Sequence, residues 1–139
     1  MTTFFFSTGG TFWTTKTKWK SGDDVCSWYG VGCDEHEIVI SIELPNNQLA
    51  GTFPPEIALL KPREVRPGVV TSGLITLDLF GNSIGGTIPS QFGKLVSMRN
   101  FNLEGNTLSG TIPSGLGNWT AVNELSIKGN NMEGEIPSQ

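Results

Sequence analysis

The side chains able to do chemistry in this chain are few and scattered. Two cysteines, Cys26 and Cys33, bracket Ser27-Trp28-Tyr29-Gly30-Val31-Gly32, and the single histidine follows within Asp34-Glu35-His36-Glu37. Six residues between the thiols match neither the close C-x-x-C pairing of a zinc site nor the two-residue spacing of a catalytic dithiol. A disulfide between Cys26 and Cys33 fits better, and it implies an oxidising compartment. His36 has no nucleophile partner evident in the sequence. Asp34, Glu35 and Glu37 lack the ligand spacing and the glycine of a calcium loop, so the stretch reads as a solvated connection. Asp78 and Glu104 could approach each other, and paired carboxylates perform glycosidic hydrolysis, but on a strand face they read as recognition contacts. No Ser-His-Asp arrangement and no phosphate-cradling loop is present in the sequence. The expectation is a chain without catalysis, metal or cofactor. Asn118-Trp119-Thr120 is the only N-x-Ser/Thr sequon, and in a secreted protein it makes Asn118 a glycosylation site.

What positions these residues is a pattern written four times. Leu74-x-x-Leu77-x-Leu79-x-x-Asn82-x-Ile84-x-Gly86-x-Ile88-Pro89 is followed by Met98-x-x-Phe101-x-Leu103-x-x-Asn106-x-Leu108-x-Gly110-x-Ile112-Pro113. A third copy is Val122-x-x-Leu125-x-Ile127-x-x-Asn130-x-Met132-x-Gly134-x-Ile136-Pro137, and an upstream copy is Val39-x-x-Ile42-x-Leu44-x-x-Asn47-x-Leu49-x-Gly51-x-Phe53-Pro54. The asparagines at 82, 106 and 130 set a period of 24 residues. A fixed period in this range marks a solenoid, and the motif is that of the leucine-rich repeat. The alternating x-Leu-x-Leu-x segment predicts a short strand with one buried face, and stacked copies make a parallel sheet. The asparagine amide can accept from and donate to backbone groups at the inward turn that no regular ladder satisfies. The Gly-x-Ile-Pro that follows supplies a flexible turn, a second apolar anchor and a stop.

Composition sets the outer bounds. The chain has 139 residues, 37% of them hydrophobic, with 18 Gly and 8 Pro that fall largely at fixed offsets in the repeats. A net charge of −4 excludes the basic face of a nucleic-acid binder. No apolar run approaches the ~18 residues of a membrane span. Met1-Thr2-Thr3-Phe4-Phe5-Phe6 lacks the basic region and the apolar length of a secretory signal, as expected of a mature product or a piece of a longer chain.

Residues 1–37 do not repeat. Phe4, Phe5 and Phe6 lead into Ser7-Thr8-Gly9-Gly10, the signature of a short helix stopped by glycine. Trp13, Trp19 and Trp28 place three of the four tryptophans here. A terminal repeat needs a cover for its open apolar end, and an aromatic cap pinned by Cys26–Cys33 serves that purpose. The run Ser7-Thr8-Gly9-Gly10-x-x-Trp13…Trp19…Cys26-Ser27-Trp28-Tyr29-Gly30-Val31-x-Cys33, followed by repeats of the form Asn-x-Leu-x-Gly-x-Ile-Pro, resembles plant-type leucine-rich repeat proteins with an N-terminal capping domain. Receptor-like kinase ectodomains and polygalacturonase-inhibiting proteins carry that pairing, and the Ser-Thr-Gly-Gly…Trp form is also similar to leucine-rich repeat proteins of diatoms and other algae. The resemblance covers nearly the whole chain. It implies an extracellular or lumenal recognition module rather than an enzyme.

The expected fold is an α/β solenoid: a leucine-rich repeat coil with a short parallel sheet on its concave face and a helical, disulfide-pinned N-terminal cap. The cap is assigned to residues 1–37 and four repeats to 38–139. The last repeat is incomplete, which exposes an apolar layer around Leu125 and Ile127 and invites further repeats or a neighbouring protein. From Asn47 to Asn82 is 35 residues, 11 more than the period, and the surplus near 61–71 carries Lys61, Arg63 and Arg66 against one acid, Glu64. Insertions in repeat proteins emerge as loops on one face, often a binding face.

The x positions of each strand point to the concave face. They are Ser41, Glu43 and Pro45; Thr76, Asp78 and Phe80; Asn100, Asn102 and Glu104; Glu124, Ser126 and Lys128. The column is polar, with an acidic bias and one aromatic. The leading expectation is a non-catalytic protein-interaction module of a secreted or cell-surface protein, or one in an oxidising organelle lumen, with protein partners and no nucleic acid. A structural subunit of a larger assembly, docked through its C-terminal end and the 61–71 loop, is the alternative. A binder of a repetitive target such as a polysaccharide or ice would need regular columns of like residues, and the concave columns are heterogeneous.

Overall fold

The computed structural model describes residues 1–137 of the chain. Its centre is a five-stranded sheet built from β1 (Val31–Cys33), β2 (Val39–Glu43), β6 (Thr76–Asp78), β8 (Asn100–Asn102) and β10 (Glu124–Ser126), in that spatial order. The last four come from successive repeats and pair in parallel, with Ser41, Thr76, Asn100 and Glu124 in one row and Glu43, Asp78, Asn102 and Ser126 in the next. β1 comes from the cap and pairs antiparallel with β2, so the cap closes one edge of the sheet with backbone as well as side chains.

The repeat holds a second set of strands, which was not expected from the sequence. β3 (Ala50–Thr52) pairs in parallel with β7 (Ser83–Gly85), and β9 (Ser109–Gly110) with β11 (Asn131–Met132). Each lies just past the conserved-in-register asparagine of its repeat, where Asn-x-Leu-x-Gly continues the alternation of buried and exposed residues and so remains extended before the glycine turns. The two sheets differ in register. On the inner sheet, equivalent positions of adjacent repeats pair directly. On the outer side Ala50 pairs with Ser83 although its repeat equivalent is Gly85, and Ser109 pairs with Asn131 although its equivalent is Glu133. A two-residue offset is roughly 6–7 Å along a strand.

Between the sheets, Ile42, Leu44, Leu49, Leu77, Leu79, Ile84, Leu103 and Leu108 are completely buried, as are Phe92 and Phe101. Rings run the length of this core: Phe53 packs on Phe92 at 5.2 Å, Phe92 on Phe101 at 6.2 Å, and Phe101 on Trp119 at 4.9 Å. Trp119 fills the apolar slot held by Leu95 one repeat earlier, and its indole nitrogen donates to the Phe92 carbonyl at 3.1 Å. The first three repeats each return through a 3₁₀ helix, at Pro55–Leu60, Ser90–Lys94 and Ser114–Asn118, with a proline at the N-cap. The second and third of these touch through glycine: a Cβ placed on Gly93 would lie 2.7 Å from the Gly115 carbonyl oxygen.

The asparagines form a ladder that ties each repeat to the one before it. The Asn82 amide oxygen accepts from the backbone N–H groups of Asn47 and Leu49 at 3.0 and 2.9 Å, while its nitrogen donates to the carbonyls of Leu44 and Leu79. Asn106 accepts from Ile84 N–H and donates to Leu79 and Leu103. Asn130 accepts from Leu108 N–H and donates to Leu103 and Ile127. Asn47 makes the corresponding bonds to both backbone groups of Thr15, so the cap engages the ladder as though it were a preceding repeat.

The cap is a small aromatic cluster. Its helix α1 (Thr2–Ser7) buries Phe4 and Phe5, and Gly9 takes a left-handed conformation at φ +67° just beyond the helix end. Trp13 and Trp19 meet edge to face at 4.8 Å, and Trp19 contacts Trp28 at 4.9 Å. The Trp13 and Trp19 indole nitrogens donate to the carbonyls of Thr8 and Tyr29. The expected Cys26–Cys33 disulfide is present, with the Cα atoms 5.6 Å apart. The surplus residues of the first repeat fold back as a hairpin of β4 (Glu64–Arg66) and β5 (Val69–Val70), closed at its base by Thr71, whose N–H donates to the Arg63 carbonyl while its hydroxyl oxygen accepts from Arg63 N–H.

Candidate functional site

The concave strand face is open, and its residues divide by what their side chains already do. The Asp78 carboxylate accepts from the N–H of Phe80 at 3.1 Å, and the Asn102 amide oxygen does the same for Glu104 one repeat on. Both serve the turn that follows their strand, so only their remaining polar atoms are free. The Ser126 hydroxyl donates to the Glu104 carboxylate at 2.8 Å, a contact across adjacent repeats. Glu104 is therefore engaged with Ser126, and no pairing with Asp78 is seen among the described residues. Thr76 is half-buried. Glu43, Asn100, Glu124 and Lys128 are exposed. The only ion pair among the described residues is His36 with Glu35, at 3.9 Å. The charges of Glu43, Glu124 and Lys128 are thus available to a partner.

Phe80 is 38% exposed in the row shared with Pro45, Glu104 and Lys128. The next residue explains how it stands clear. Gly81, Gly105 and Gly129 take left-handed conformations at φ +67°, +69° and +62°, and Asn46 takes one at +51° in the first repeat. Each precedes a ladder asparagine, and the left-handed residue turns the chain inward so that its neighbour is left at the rim. The glycine before each of those three asparagines was a legible signal in the sequence, since a residue confined to left-handed backbone is most often glycine.

The hairpin carries exposed Lys61, Arg63 and Arg66. It does not lie on the concave surface. Its base packs beside the cap, where Lys61, Arg63 and Thr71 share a cavity of about 160 Å³ with Val25, Glu37 and Val39. His36 is exposed beside this region. Asn118 is exposed at the end of the 3₁₀ helix Ser114–Asn118, while its neighbour Trp119 is core. Beyond β10 the packing thins: Leu125 is 45% exposed and Val122 is exposed beside it. No described helix is long and apolar enough to cross a membrane.

The geometry agrees with what related proteins show. The leucine-rich repeat family model matches residues 73–95 and 97–119. Receptor-like protein 50 of Arabidopsis thaliana is 30% identical over 90 residues, covering 64% of this chain and 9% of that protein. The solved PEPR1–AtPEP1 structure superposes with a TM-score of 0.77 and 26% identity over 98% of this chain and 19% of the other. The Arabidopsis receptor kinase HAESA ectodomain, solved with an N-terminally extended IDA peptide hormone ligand, gives a TM-score of 0.67 and 33% identity over 84% of this chain and 18% of the other. The chain thus spans a tenth or less of the curated relatives it matches, and about a fifth of these solved ectodomains. With four asparagine-linked coils, a tryptophan-rich disulfide cap and these likenesses together, the chain is a leucine-rich repeat protein of the plant receptor-like type.

Proposed function

We propose that this chain is a non-catalytic recognition module that works outside the cell, with its concave face receiving a polypeptide partner. The observation that carries the reading is the exposed row of Phe80 and Lys128 beside the unpaired Glu43 and Glu124, all on one sheet whose strands β2, β6 and β8 are hydrogen-bonded to a neighbour on both sides. An aromatic anchor among separated charges is a common centre of a protein contact. The likeness to the HAESA ectodomain, which was solved with a peptide hormone, supports a peptide-like partner for this face. The disulfide supports an oxidising setting.

The face is small. Five strands ~4.8 Å apart, each with about five residues on view, present on the order of 300 Å². A standard stable interface needs ~800 Å² from each side. The concave face of this segment therefore holds part of a contact, and the exposed cations of the hairpin form a second surface that an acidic partner could use. Docking of the chain as a subunit through that hairpin is the second reading, favoured by the exposure of Lys61, Arg63 and Arg66. A glycan on Asn118 fits either reading, because the residue lies away from both surfaces.

The test is affinity capture from the source organism's extracellular fraction with three baits: the native chain, Phe80→Ala, and a hairpin variant with Lys61, Arg63 and Arg66 changed to Ser. Loss of the main captured protein with Phe80→Ala supports the concave reading. Loss with the hairpin variant alone supports subunit docking. Equal capture by all three defeats both.

A further inference from the structure

The regular column of like residues that is missing from the concave face exists on the opposite side. Each Gly-x-[Phe/Ile]-Pro carries a threonine at its x in the first three repeats: Thr52, Thr87 and Thr111, all exposed. Their methyl groups are held by the next coil. A Cβ built on Gly86, Gly110 or Gly134 would lie 3.0 Å from the methyl carbon of Thr52, Thr87 or Thr111 respectively, so only glycine leaves room for that seat. Each of the first three repeats thus presents one threonine hydroxyl at the same place, with its methyl beside the glycine of the next coil. None of the three hydroxyls has a hydrogen-bond partner among the described residues. Two other exposed hydroxyls of the third repeat behave otherwise: Thr107 donates back to the Ile84 carbonyl at 3.1 Å and Ser109 to that of Gly86 at 3.4 Å.

These threonines line an outer groove of about 760 Å³ that crosses three repeats, with Ile88 and Pro89 in its floor and Gln91 at its rim. No charged residue lines it. That neutrality disfavours polyanions and charged peptides, which would need a counter-charge here. Identical stations at equal intervals suit a polymer of identical units, and fixed hydroxyls over an apolar floor suit sugar rings, with hydroxyl edges and flat carbon-hydrogen faces. We propose that this groove binds a neutral, extended β-linked glucan lying along the stack, one threonine hydroxyl per repeat.

The experiment is titration of the isolated chain with cellohexaose and laminarihexaose, followed by amide NMR shifts and calorimetry, with polygalacturonate as the charged control. The triple variant Thr52→Val, Thr87→Val, Thr111→Val keeps the branched shape and the methyl contact and removes only the hydroxyls. Expected is binding of at least one neutral hexasaccharide, with shifts confined to the outer groove, weakened about tenfold or more in the triple variant as loss of three modest hydrogen bonds implies. Phe80→Ala should bind the glucan as the native chain does. Thr87→Val alone should give the same effect in smaller measure, which keeps the test available if the triple variant does not fold. Failure of both hexasaccharides to bind, equal binding by the valine variants, preference for polygalacturonate, or loss of binding in Phe80→Ala would each overturn the proposal.

Discussion

Asn106 shows at the scale of one side chain how the coil is held. Its amide is buried and spends both ends on backbone groups of two different repeats, Ile84 N–H and Leu79 C=O in one and Leu103 C=O in its own. Removing the amide leaves the Ile84 N–H without a partner in a dry interior and takes from the Leu79 and Leu103 carbonyls one of the two amide donors each receives. Asn123 is an exposed residue of the same type with no such bonds among the described residues. Asn106→Ala should therefore destabilise the chain by ~1–3 kcal/mol more than Asn123→Ala, read as the difference in urea denaturation midpoints. Equal midpoints would mean that the ladder carries no net stability. Asn118 offers a different kind of test. Expressed through a secretory pathway, the chain should lose one glycan's mass on Asn118→Gln, seen as a single mobility step on a gel; unchanged mobility would leave the sequon unused.

The 3₁₀ returns and the strands set the packing at the next scale. Gly93 and Gly115 let two returns approach backbone to backbone, and neither needs a left-handed conformation, so the constraint is one of space. Gly93→Ala puts a methyl group against the Gly115 backbone, and overpacking of this kind typically costs ~1–3 kcal/mol. Ser90→Ala, on the same return but exposed, should cost far less. Thermal melts of the two variants check this, and a Gly93→Ala midpoint equal to that of Ser90→Ala would show that the returns can part freely.

For the whole molecule, stability is a matter of neighbours. Each coil touches only the coils beside it, and the cap is the neighbour of the first. The cap reaches that coil through Asn47, through β1, and through Ala50 N–H, which donates to Thr8 C=O. Its small core is closed by the single disulfide. Replacing Cys26 and Cys33 by serine should cost about 2 kcal/mol, within the usual range for a short loop. The loss should appear first in the cap and the first repeat, as faster amide exchange at Trp19 and Ile42 than at Leu103. Uniform acceleration along the chain would instead indicate a single cooperative unit.

Much of this was written in the chain because the repeat is a local code. Leucines at strand positions, asparagine at the turn and proline after Gly-x-Ile recur at a fixed interval, so the coil and the role of Trp119 as core follow from spacing, while the family rests on the resemblance that the cap and repeat motifs carry. The pairing of Cys26 with Cys33 also follows, since no other cysteine competes. What the spacing does not carry is how neighbouring coils are offset. The inner strands meet in register and the outer ones two residues apart, and that choice depends on close packing between coils, such as Thr52 on Gly86. The same contacts decide which hydroxyls turn outward, and Thr52, Thr87 and Thr111 read in isolation are only the variable position of a turn. Likewise Asp78 and Glu104 look like equivalent acids in the sequence, yet one accepts a backbone N–H of its own turn and the other a serine hydroxyl from the next repeat. Residue type and period determined the coil; contacts between residues more than twenty positions apart determined which of its surfaces is free to bind.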